Sequence, residues 1–454
     1  MKISIVGTGY VGLVTGVCLA EKGHEVICVD IDSDKVKKIN KGITPIYEVG
    51  LEDMLRRNLA DRVKATTDLA DAVQATDVTM IAVGTPFQGN KIDLTFVKRA
   101  TKQIGAALKQ KPDYHVVVVK STVVPGTTEN VVLPLLESYS GKSAGQDFGV
   151  GMNPEFLTEG EAVEDFMKPD RIVLGGIDER SIEVMSALYQ GFFGVPRIRT
   201  NPSTAEMIKY ASNTLLATMI SFSNELANLS SRLKGVDIVD VLQGVHTSRY
   251  LSVSVSDNQV VHPAIVSFLG AGCGFGGSCL PKDTSALIAH GQQHRVDMPL
   301  LRAVRSINEK QPKLFVGLLS KHFRTLKGVK VAVLGLAFRP GTDDVRESPA
   351  IPIIKELLSK KAVVKAHDPI AIPNAKKVLG AGKEKVTFAA TLAEAVEGAQ
   401  AILVITRWKE FEKLSDLLAG VTPSPLVLDG RRMMEREKFV RYDGVGLGKQ
   451  QKVS

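Results

Sequence analysis

The chain has 454 residues, too many for one ordinary hydrophobic core, and its 44% hydrophobic and 23% charged residues exclude a disordered or fibrous protein. The net charge of +8 favours anionic ligands. Because the sequence has no long basic block and only one tryptophan, it predicts nucleotide ligands rather than a nucleic acid partner. The alternative is that the positive charge simply forms a solvated basic surface. Four cysteines, no apolar run of the roughly 18 residues that a membrane helix needs and no charged-then-apolar leader predict a reduced cytoplasmic protein without a membrane partner.

The first predicted elements alternate between strands and helices. KISIVG is an apolar strand that ends in a glycine turn; a helix follows, and a second strand ends at Asp30. Strands predicted at 80–86 and 115–122 carry Thr85 and Thr122 at their ends. This alternation is typical of a doubly wound parallel sheet, whose ligands lie at the carboxyl ends of the strands.

The segment from Ser203 to Leu233 contains no proline or glycine and predicts one long helix. Glu206, Lys209 and Asn213 share one of its faces, at i, i+3 and i+7. We expect a helix of this length to bridge domains or to form a subunit contact, and by analogy with such contacts we expect a homodimer.

A second strand-and-helix pattern begins at Val329 and continues with strands at 362–368, 401–406 and 425–430. The predicted fold class is therefore α/β, with two Rossmann-like doubly wound parallel-sheet domains joined by a long central helix.

The motif GTGYVG places Gly7, Gly9 and Gly12 between a strand and a helix, and Asp30 follows about 20 residues on. Glycines there let backbone N–H groups approach a pyrophosphate, while the carboxylate binds the adenosine ribose; a mere tight turn is the alternative. Because Asp30 repels a 2′-phosphate, the cofactor is predicted to be NAD rather than NADP. Lys35 is expected to steady a ribose hydroxyl or to pair with the neighbouring acids.

The second unit lacks this fingerprint, since its first turn reads GLAFRP. Arg339, Arg346 and Arg431 instead supply cations at strand ends, where planar guanidinium groups suit a nucleotide diphosphate. The alternative is that they form surface ion pairs with the acidic residues of segment 343–347.

The segment GCGFGGSCLPKD (272–283) surrounds Cys279 with glycines and follows it with Lys282 and Asp283. A metal site needs more ligands than Cys273 and Cys279 provide, and a reducing compartment disfavours a disulfide between them. A buried, unreactive Cys279 thiol remains an alternative interpretation. An accessible thiolate near positive charge is the favoured interpretation, and it makes Cys279 a nucleophile.

An NAD site together with a nucleophilic thiol restricts the class of oxidation that the protein can be expected to catalyse. Oxidation of an alcohol to a ketone has no use for sulfur. Oxidation of an aldehyde to an acid does, since sulfur addition gives a thiohemiacetal, loss of hydride gives a thioester, and water releases the carboxylate.

The chain resembles the nucleotide-sugar dehydrogenases of the UDP-glucose/GDP-mannose dehydrogenase family over about residues 1–440. The resemblance is carried, in order, by the motifs GTGYVG, VGTP, KSTVVPGT, NPEFLTEG, AEMIKYASN, GFGGSCLPKD, TDDVRESPA and LDGRR. It implies an NAD-binding Rossmann domain (1–200), a central helical dimerisation and catalytic region (201–312), a UDP-sugar-binding Rossmann-like domain (313–440) and a flexible tail (441–454).

The motifs and the resemblance together imply the site residues, with no metal among them. The catalytic set is Cys279 as nucleophile, Asp283 with a water on Thr122 as base, Lys209 and Asn213 at the oxyanion, and Glu155 in thioester hydrolysis. The NAD contacts are Gly7, Gly9, Val11, Gly12, Asp30, Lys35, Thr85, Thr122, Glu159, Lys282 and Arg346. The sugar-nucleotide contacts are Glu155, Phe156, Leu157, Glu159, Lys209, Asn213, Arg249, Phe268, Leu269, Gly270, Ala271, Gly272, Gly276, Arg339 and Arg431.

ITRWKEF (405–411) and DGRR (429–432) resemble the family members that oxidise UDP-glucose, so four-electron oxidation of UDP-glucose to UDP-glucuronate is expected. UDP-N-acetylhexosamines, GDP-mannose and dTDP-glucose are alternative substrates, and an NAD- or nucleotide-sugar-binding sensor is the alternative without turnover. About a dozen residues are inserted between Arg249 and the cysteine, where relatives carry an arginine that reaches the neighbouring subunit's sugar. Either Arg249 keeps that role from a longer loop, or the contact is lost.

Overall fold

The computed structural model describes residues 1–256, 259–380 and 386–448. The chain forms two compact units, Met1–Ser212 (unit 1) and Asn213–Ser454 (unit 2). Within the described ranges, no helix has the length and apolar character needed to cross a membrane.

Unit 1 alternates strands and helices as predicted. Its strands are β1 (Lys2–Val6), β2 (Glu25–Val29), β3 (Val63–Thr66), β4 (Val78–Ile81), β5 (Phe87–Gln88), β6 (Lys91–Ile92), β7 (His115–Val119), β8 (Phe148–Met152), β9 (Ile172–Gly176) and β10 (Arg197–Thr200). Its helices are α1 (Tyr10–Glu21), α2 (Ser33–Ile39), α3 (Leu51–Asn58), α4 (Leu69–Gln74), α5 (Thr95–Leu108), α6 (Leu133–Ser140), α7 (Ala162–Met167) and α8 (Glu179–Ala187), with a π-helical turn at Thr128–Val132.

In the described part of unit 1, eight strands form one sheet in the order β10-β9-β8-β7-β4-β1-β2-β3. Neighbouring strands run parallel except β8 and β9, which are antiparallel. β7 reads HVVVV and is buried along its whole length, as a strand covered by helices on both faces requires. The strand expected at 80–86 is shorter than predicted: β4 ends at Ile81, and the rest of that segment forms the loop beyond the sheet.

The predicted long helix is α9, which spans Pro202–Ser230 and contains the boundary between the two units. Unit 2 continues with α10 (Ile238–His246), β11 (Val253–Ser256), β12 (Gln259–Val261), α11 (Leu280–Gln293), α12 (Pro299–Gly317), β13 (Lys330–Leu334), α13 (Ala350–Ser359), β14 (Val363–His367), α14 (Ile372–Leu379), β15 (Val386–Phe388), α15 (Leu392–Val396), β16 (Ala401–Val404), α16 (Leu414–Leu418), β17 (Leu426–Asp429) and β18 (Tyr442–Gly444). Short 3₁₀ turns lie at Ala264–Phe268, Leu318–Lys321, Lys409–Lys413 and Arg436–Lys438.

Unit 2 contains a second parallel sheet whose described strands follow the order β15-β14-β13-β16-β17-β18. Its first four strands repeat the order β3-β2-β1-β4 of unit 1, so two doubly wound sheets are confirmed. The expected flexible tail is corrected in part: Tyr442–Gly444 forms edge strand β18, and Val445 and Leu447 are buried. The apolar side chains of this segment hold it in the fold; residues 449–454 lie outside the described residues.

Candidate active site

The glycine turn of GTGYVG lies at the carboxyl end of β1, where the strand order reverses between β1 and β4. Gly7 has a φ of 99°, and a Cβ on Gly12 would lie 1.9 Å from the Gly7 carbonyl oxygen. A Cβ on Gly9 would meet no atom within 4 Å, and Gly9 is the exposed N-cap of α1. The cradle over Gly9, at a helix N-terminus, fits a pyrophosphate. Val11 lies half-buried in the first turn of this helix.

Asp30 follows β2, beside this turn. Its Oδ2 accepts hydrogen bonds from the Thr8 backbone N–H at 2.9 Å and the Thr8 hydroxyl at 2.6 Å, and its Oδ1 accepts from the Asp32 N–H at 3.0 Å. Burial acts to raise the pKa of Asp30, but these bonds and the Lys35 ammonium outweigh it and hold the pKa below its ordinary value. The Lys35 Nζ lies 3.7 Å from Oδ2, so Lys35 pairs with Asp30 here. A fixed, ionised carboxylate at this place fits an NAD ribose.

The matching turn of unit 2 is closed by its own side chains. Asp368, after β14, accepts from the N–H groups of Leu336 and Ala337 at 2.8 and 3.0 Å, and from the Trp408 indole at 3.0 Å. A Cβ on Gly335 would lie 2.5 Å from Thr406. Asp30 accepts from the Thr8 N–H of the unit 1 turn in the same way, so this contact does not distinguish the two turns, and the absence of a second NAD from unit 2 stays a prediction.

Glu155 and Lys209 form a buried ion pair in unit 1. The Lys209 Nζ lies 2.9 Å from Glu155 Oε1, and both side chains are 4% exposed. The Leu157 backbone N–H donates to Glu155 Oε2 at 2.7 Å. Burial acts to raise the pKa of Glu155, but the two ammonium groups of Lys209 and Lys120 and the Leu157 bond lower it overall, so Glu155 is ionised at neutral pH.

Lys120, which the sequence analysis did not single out, lies near the Glu155 carboxylate. It follows β7 and is buried, and its Nζ donates to the Asn153 Oδ1 at 2.8 Å. The Tyr189 hydroxyl donates to the same oxygen at 2.5 Å. Burial lowers the pKa of Lys120 to about 8, and the neighbouring Glu155 opposes this shift. The Lys at the head of the KSTVVPGT motif was the available signal.

The remaining predicted unit 1 residues lie around these groups. The Thr85 hydroxyl donates to the Thr122 carbonyl oxygen at 2.7 Å and so ties the loops after β4 and β7 together. The centre of the Phe156 ring lies 3.9 Å from the Arg171 guanidinium carbon and 5.4 Å from the Lys209 Nζ. Leu157 and Glu159 are half-buried in the loop that follows β8.

In unit 2, residues 272–279 form a loop that we call the thiol loop. Cys279 is half-buried and is the N-cap residue of α11. A Cβ on Gly276 would lie 2.3 Å from the Glu347 carbonyl oxygen, and one on Gly277 2.8 Å from the Phe338 ring. Glycines here therefore let the thiol loop lie directly against backbone. Cys273 is buried, its Sγ lies 3.8 Å from the Ile405 carbonyl oxygen, and burial raises the pKa of its thiol.

Asp283 lies one turn into α11 and is buried. The Asn213 side-chain amide donates to its Oδ2 at 2.6 Å, and the Lys282 ammonium lies 2.5 Å from its Oδ1. Both oxygens of the predicted base are thus oriented by two residues that the sequence analysis had also singled out.

The predicted sugar-nucleotide contacts of unit 2 border the thiol loop. The Arg431 Nε donates to the Ile405 carbonyl oxygen at 2.5 Å, and a Cβ on Gly272 would lie 2.8 Å from an Arg431 nitrogen. Arg346 forms an ion pair with Asp344 at 2.6 Å, which is the surface ion pair that the sequence left open as an alternative to a phosphate contact. The Arg346 carbonyl oxygen accepts a hydrogen bond from the Gly277 N–H at 3.0 Å. Half-buried Arg339, Phe268 and Gly270, and buried Leu269 and Ala271, complete this set.

Arg249 lies apart from these contacts, exposed just beyond α10. Its guanidinium carbon lies 5.2 Å from the centre of the Tyr250 ring. The described residues of the inserted segment include the antiparallel strands β11 and β12 and the 3₁₀ turn Ala264–Phe268. The role of Arg249 toward a second subunit stays a prediction.

Three domain models of one family match the chain, in an unbroken order. Residues 1–193 match the NAD binding domain, 203–310 the central domain and 332–436 the UDP binding domain of the UDP-glucose/GDP-mannose dehydrogenase family. The chain belongs to this family. It is therefore an NAD-dependent oxidoreductase, and the predicted family, fold class and cofactor are confirmed.

Relatives in the family match along almost the whole chain. UDP-glucose 6-dehydrogenase AglM of Haloferax volcanii is 41% identical, with 98% of this chain and 100% of the relative covered. UDP-glucose 6-dehydrogenase TuaD of Bacillus subtilis is 41% identical, with 96% of this chain and 90% of the relative covered. The structure of a UDP-glucose dehydrogenase from Pyrobaculum islandicum is similar, with a TM-score of 0.88, 39% identity, and 98% and 97% of the two chains covered.

Proposed function

We propose that this member of the family oxidises UDP-glucose to UDP-glucuronate with two NAD per turnover. The observation that carries the proposal is the half-buried Cys279 thiol at the N-terminus of α11, one turn from buried Asp283, in a family whose members use NAD. A reaction that stops at the aldehyde needs no such thiol. The substrate is inferred from relatives that carry the name UDP-glucose 6-dehydrogenase at about 40% identity.

In the first oxidation Asp283, through a water held by Thr122, accepts the proton of the C6 hydroxyl. When bound in unit 1, NAD would supply the hydride acceptor for C6 in each of the two oxidations. The Asn213 amide and the Lys282 ammonium orient the Asp283 carboxylate, so its proton-accepting oxygens are fixed before the substrate arrives.

The Cys279 thiolate then adds to the aldehyde carbon, forming a C–S bond and leaving negative charge on the former carbonyl oxygen. Lys209 and Asn213 donate hydrogen bonds to that oxygen. After the second hydride leaves, a water attacks the thioester carbon with Glu155 as its base. The C–S bond breaks, the sulfur leaves as thiolate, and the carboxylate is released.

The substrate is tested by measuring NADH release with UDP-glucose, UDP-galactose, UDP-N-acetylglucosamine, UDP-N-acetylmannosamine, dTDP-glucose and GDP-mannose. We expect UDP-glucose to give the highest kcat/KM. A higher value for another nucleotide sugar would move the substrate to that sister specificity. No release with any of them would favour a binding protein without turnover.

The thiol is tested by Cys279→Ser, with Cys273→Ser as the matched control because Cys273 is buried and its thiol faces the Ile405 carbonyl oxygen. We expect Cys279→Ser to stop at or before the aldehyde and Cys273→Ser to keep full turnover. Unchanged formation of UDP-glucuronate by Cys279→Ser would remove the nucleophile from the mechanism.

We also propose a homodimer that uses an exposed face of α9. Leu215, Phe222 and Leu229 recur every seven residues and are 51%, 48% and 56% exposed. This spacing places them on one face of the helix, where a second copy would cover them. Light scattering of wild type and Phe222→Asp tests this: a dimer that becomes a monomer is expected, and a monomeric wild type would contradict it.

A further inference from the structure

The thiol loop is held by three side-chain amides that no motif had pointed to. Asn224 on α9 and Asn308 and Gln311 on α12 all hydrogen bond to its backbone, and we call them the amide clamp. Among them they satisfy both the N–H and the carbonyl group of Gly272 and of Phe275.

Asn308 makes the two-sided contact. Its Oδ1 accepts from the Phe275 N–H at 2.8 Å, and its Nδ2 donates to the Phe275 carbonyl oxygen at 3.0 Å. A Cβ on Gly274 would lie 3.1 Å from this Oδ1, so the glycine gives the amide its access to the loop. This pairing fixes the peptide groups on both sides of Phe275, four residues before Cys279.

Gly272 is held in the same way from two helices. Its N–H donates to the Asn224 Oδ1 at 2.7 Å, and its carbonyl oxygen accepts from the Gln311 Nε2 at 2.9 Å. Asn228 in turn donates to the Gln311 Oε1 at 3.0 Å, which orients that amide. Gly272 and Phe275 are buried, so their backbone groups have little access to water if the amides are removed.

A loop built from four glycines in eight residues has few side chains with which to hold its own shape, and glycine loses the most backbone freedom on ordering. We propose that Asn308 is a positioning residue for the proposed reaction: with Asn224 and Gln311, it places the Cys279 sulfur at the N-terminus of α11 and toward the aldehyde carbon. This inference rests on the proposed role of Cys279 as nucleophile. A displacement of about 1 Å at a reacting atom lowers the rate about a hundredfold, so a loosened clamp has a large effect on catalysis.

The test uses the full-length enzyme with Asn308→Ala and the milder Asn308→Asp, which keeps an acceptor for the Phe275 N–H and loses the donor to its carbonyl oxygen. Lys310→Ala, an exposed position on the same helix, is the control. Four quantities are measured: kcat, the Kd values of UDP-glucose and NAD by calorimetry, the thermal midpoint, and the pH midpoint of Cys279 alkylation by iodoacetamide.

We expect kcat to fall about tenfold or more in Asn308→Ala and less in Asn308→Asp, with both Kd values within about threefold of wild type. The alkylation midpoint is expected to rise, because a thiolate displaced from the helix N-terminus loses stabilisation. Lys310→Ala should match wild type in all four measurements.

Two results would overturn the positioning role: a kcat within about twofold of wild type in Asn308→Ala, or an unchanged alkylation midpoint in both variants. Should Asn308→Ala fail to fold, Asn308→Asp decides by the same criteria. An incorrect assignment of Cys279 as the nucleophile would be recognised separately, because Cys279→Ser would then be fully active whatever the results for the Asn308 variants.

Discussion

The ion pair between Lys209 and Glu155 leads to a stability prediction for Lys209→Met. The pair is 2.9 Å long and both side chains are 4% exposed, so removal of the ammonium leaves a carboxylate in the interior. Breaking a buried pair in this way costs about 3–5 kcal/mol. Glu155 keeps the Leu157 N–H bond and the field of Lys120, so the lower end, about 3 kcal/mol, is expected.

For a unit of 212 residues, each kcal/mol moves the thermal midpoint by about 2–4 °C, so scanning calorimetry at pH 7 should show a fall of roughly 6–12 °C. The double variant Glu155→Gln/Lys209→Met removes the stranded charge and should lose less than Lys209→Met alone. The deficit of Lys209→Met should also shrink as the pH falls, because in the variant the stranded Glu155 carboxylate takes up a proton and no longer carries a buried charge.

Lys168→Met is the matched control, because its pair with Glu164 is 3.2 Å long but 78% and 71% exposed. Such a pair contributes about 0–1 kcal/mol, so little change is expected. The reasoning fails if Lys209→Met and Lys168→Met shift the midpoint equally, or if the double variant is less stable than Lys209→Met.

Two further predictions concern unit 1. Gly9→Ala should keep the wild-type thermal midpoint, because its Cβ meets no atom within 4 Å, but it should weaken NAD binding in calorimetry. Gly12→Ala places a Cβ 1.9 Å from the Gly7 carbonyl oxygen and should lower both the thermal midpoint and the NAD affinity. An unchanged NAD affinity in both variants would contradict the assigned pyrophosphate site. Burial raises the pKa of Glu206 from 4.5 to about 7, so the folded state holds a proton that the unfolded state has lost between those values. Relative to Glu206→Gln, the free energy of unfolding should therefore fall by about 1.4 kcal/mol per pH unit as pH rises through this window in urea titrations, and parallel curves would refute this.

The patterns that predicted the fold are local ones. An apolar run, a glycine turn and a following carboxylate lie within 30 residues, and their geometry depends on few distant contacts, so β1, α1 and Asp30 were found from sequence. β18 was missed because a three-residue strand in a glycine-rich segment carries almost no periodicity; its place comes from pairing with β17.

The site residues that were missed depend on distant partners. Asn308 and Gln311 look like ordinary polar residues of a helix, and only the fold shows that their amides face the thiol loop. Lys120 reads as a strand-end lysine, a type of residue that is usually exposed, until Asn153 is found beside it. The pairing of Arg346 with Asp344 was one of two open interpretations, since sequence spacing alone cannot choose between an ion pair and a phosphate contact.

The most direct test of the proposed four-electron oxidation is the number of NADH molecules formed per molecule of UDP-glucose. A limiting amount of UDP-glucose is exhausted with excess NAD, and NADH is counted by absorbance while the sugar nucleotide is identified by mass spectrometry. The thioester mechanism predicts two NADH and UDP-glucuronate as the product. One NADH with an accumulated aldehyde, or no NADH, would contradict it.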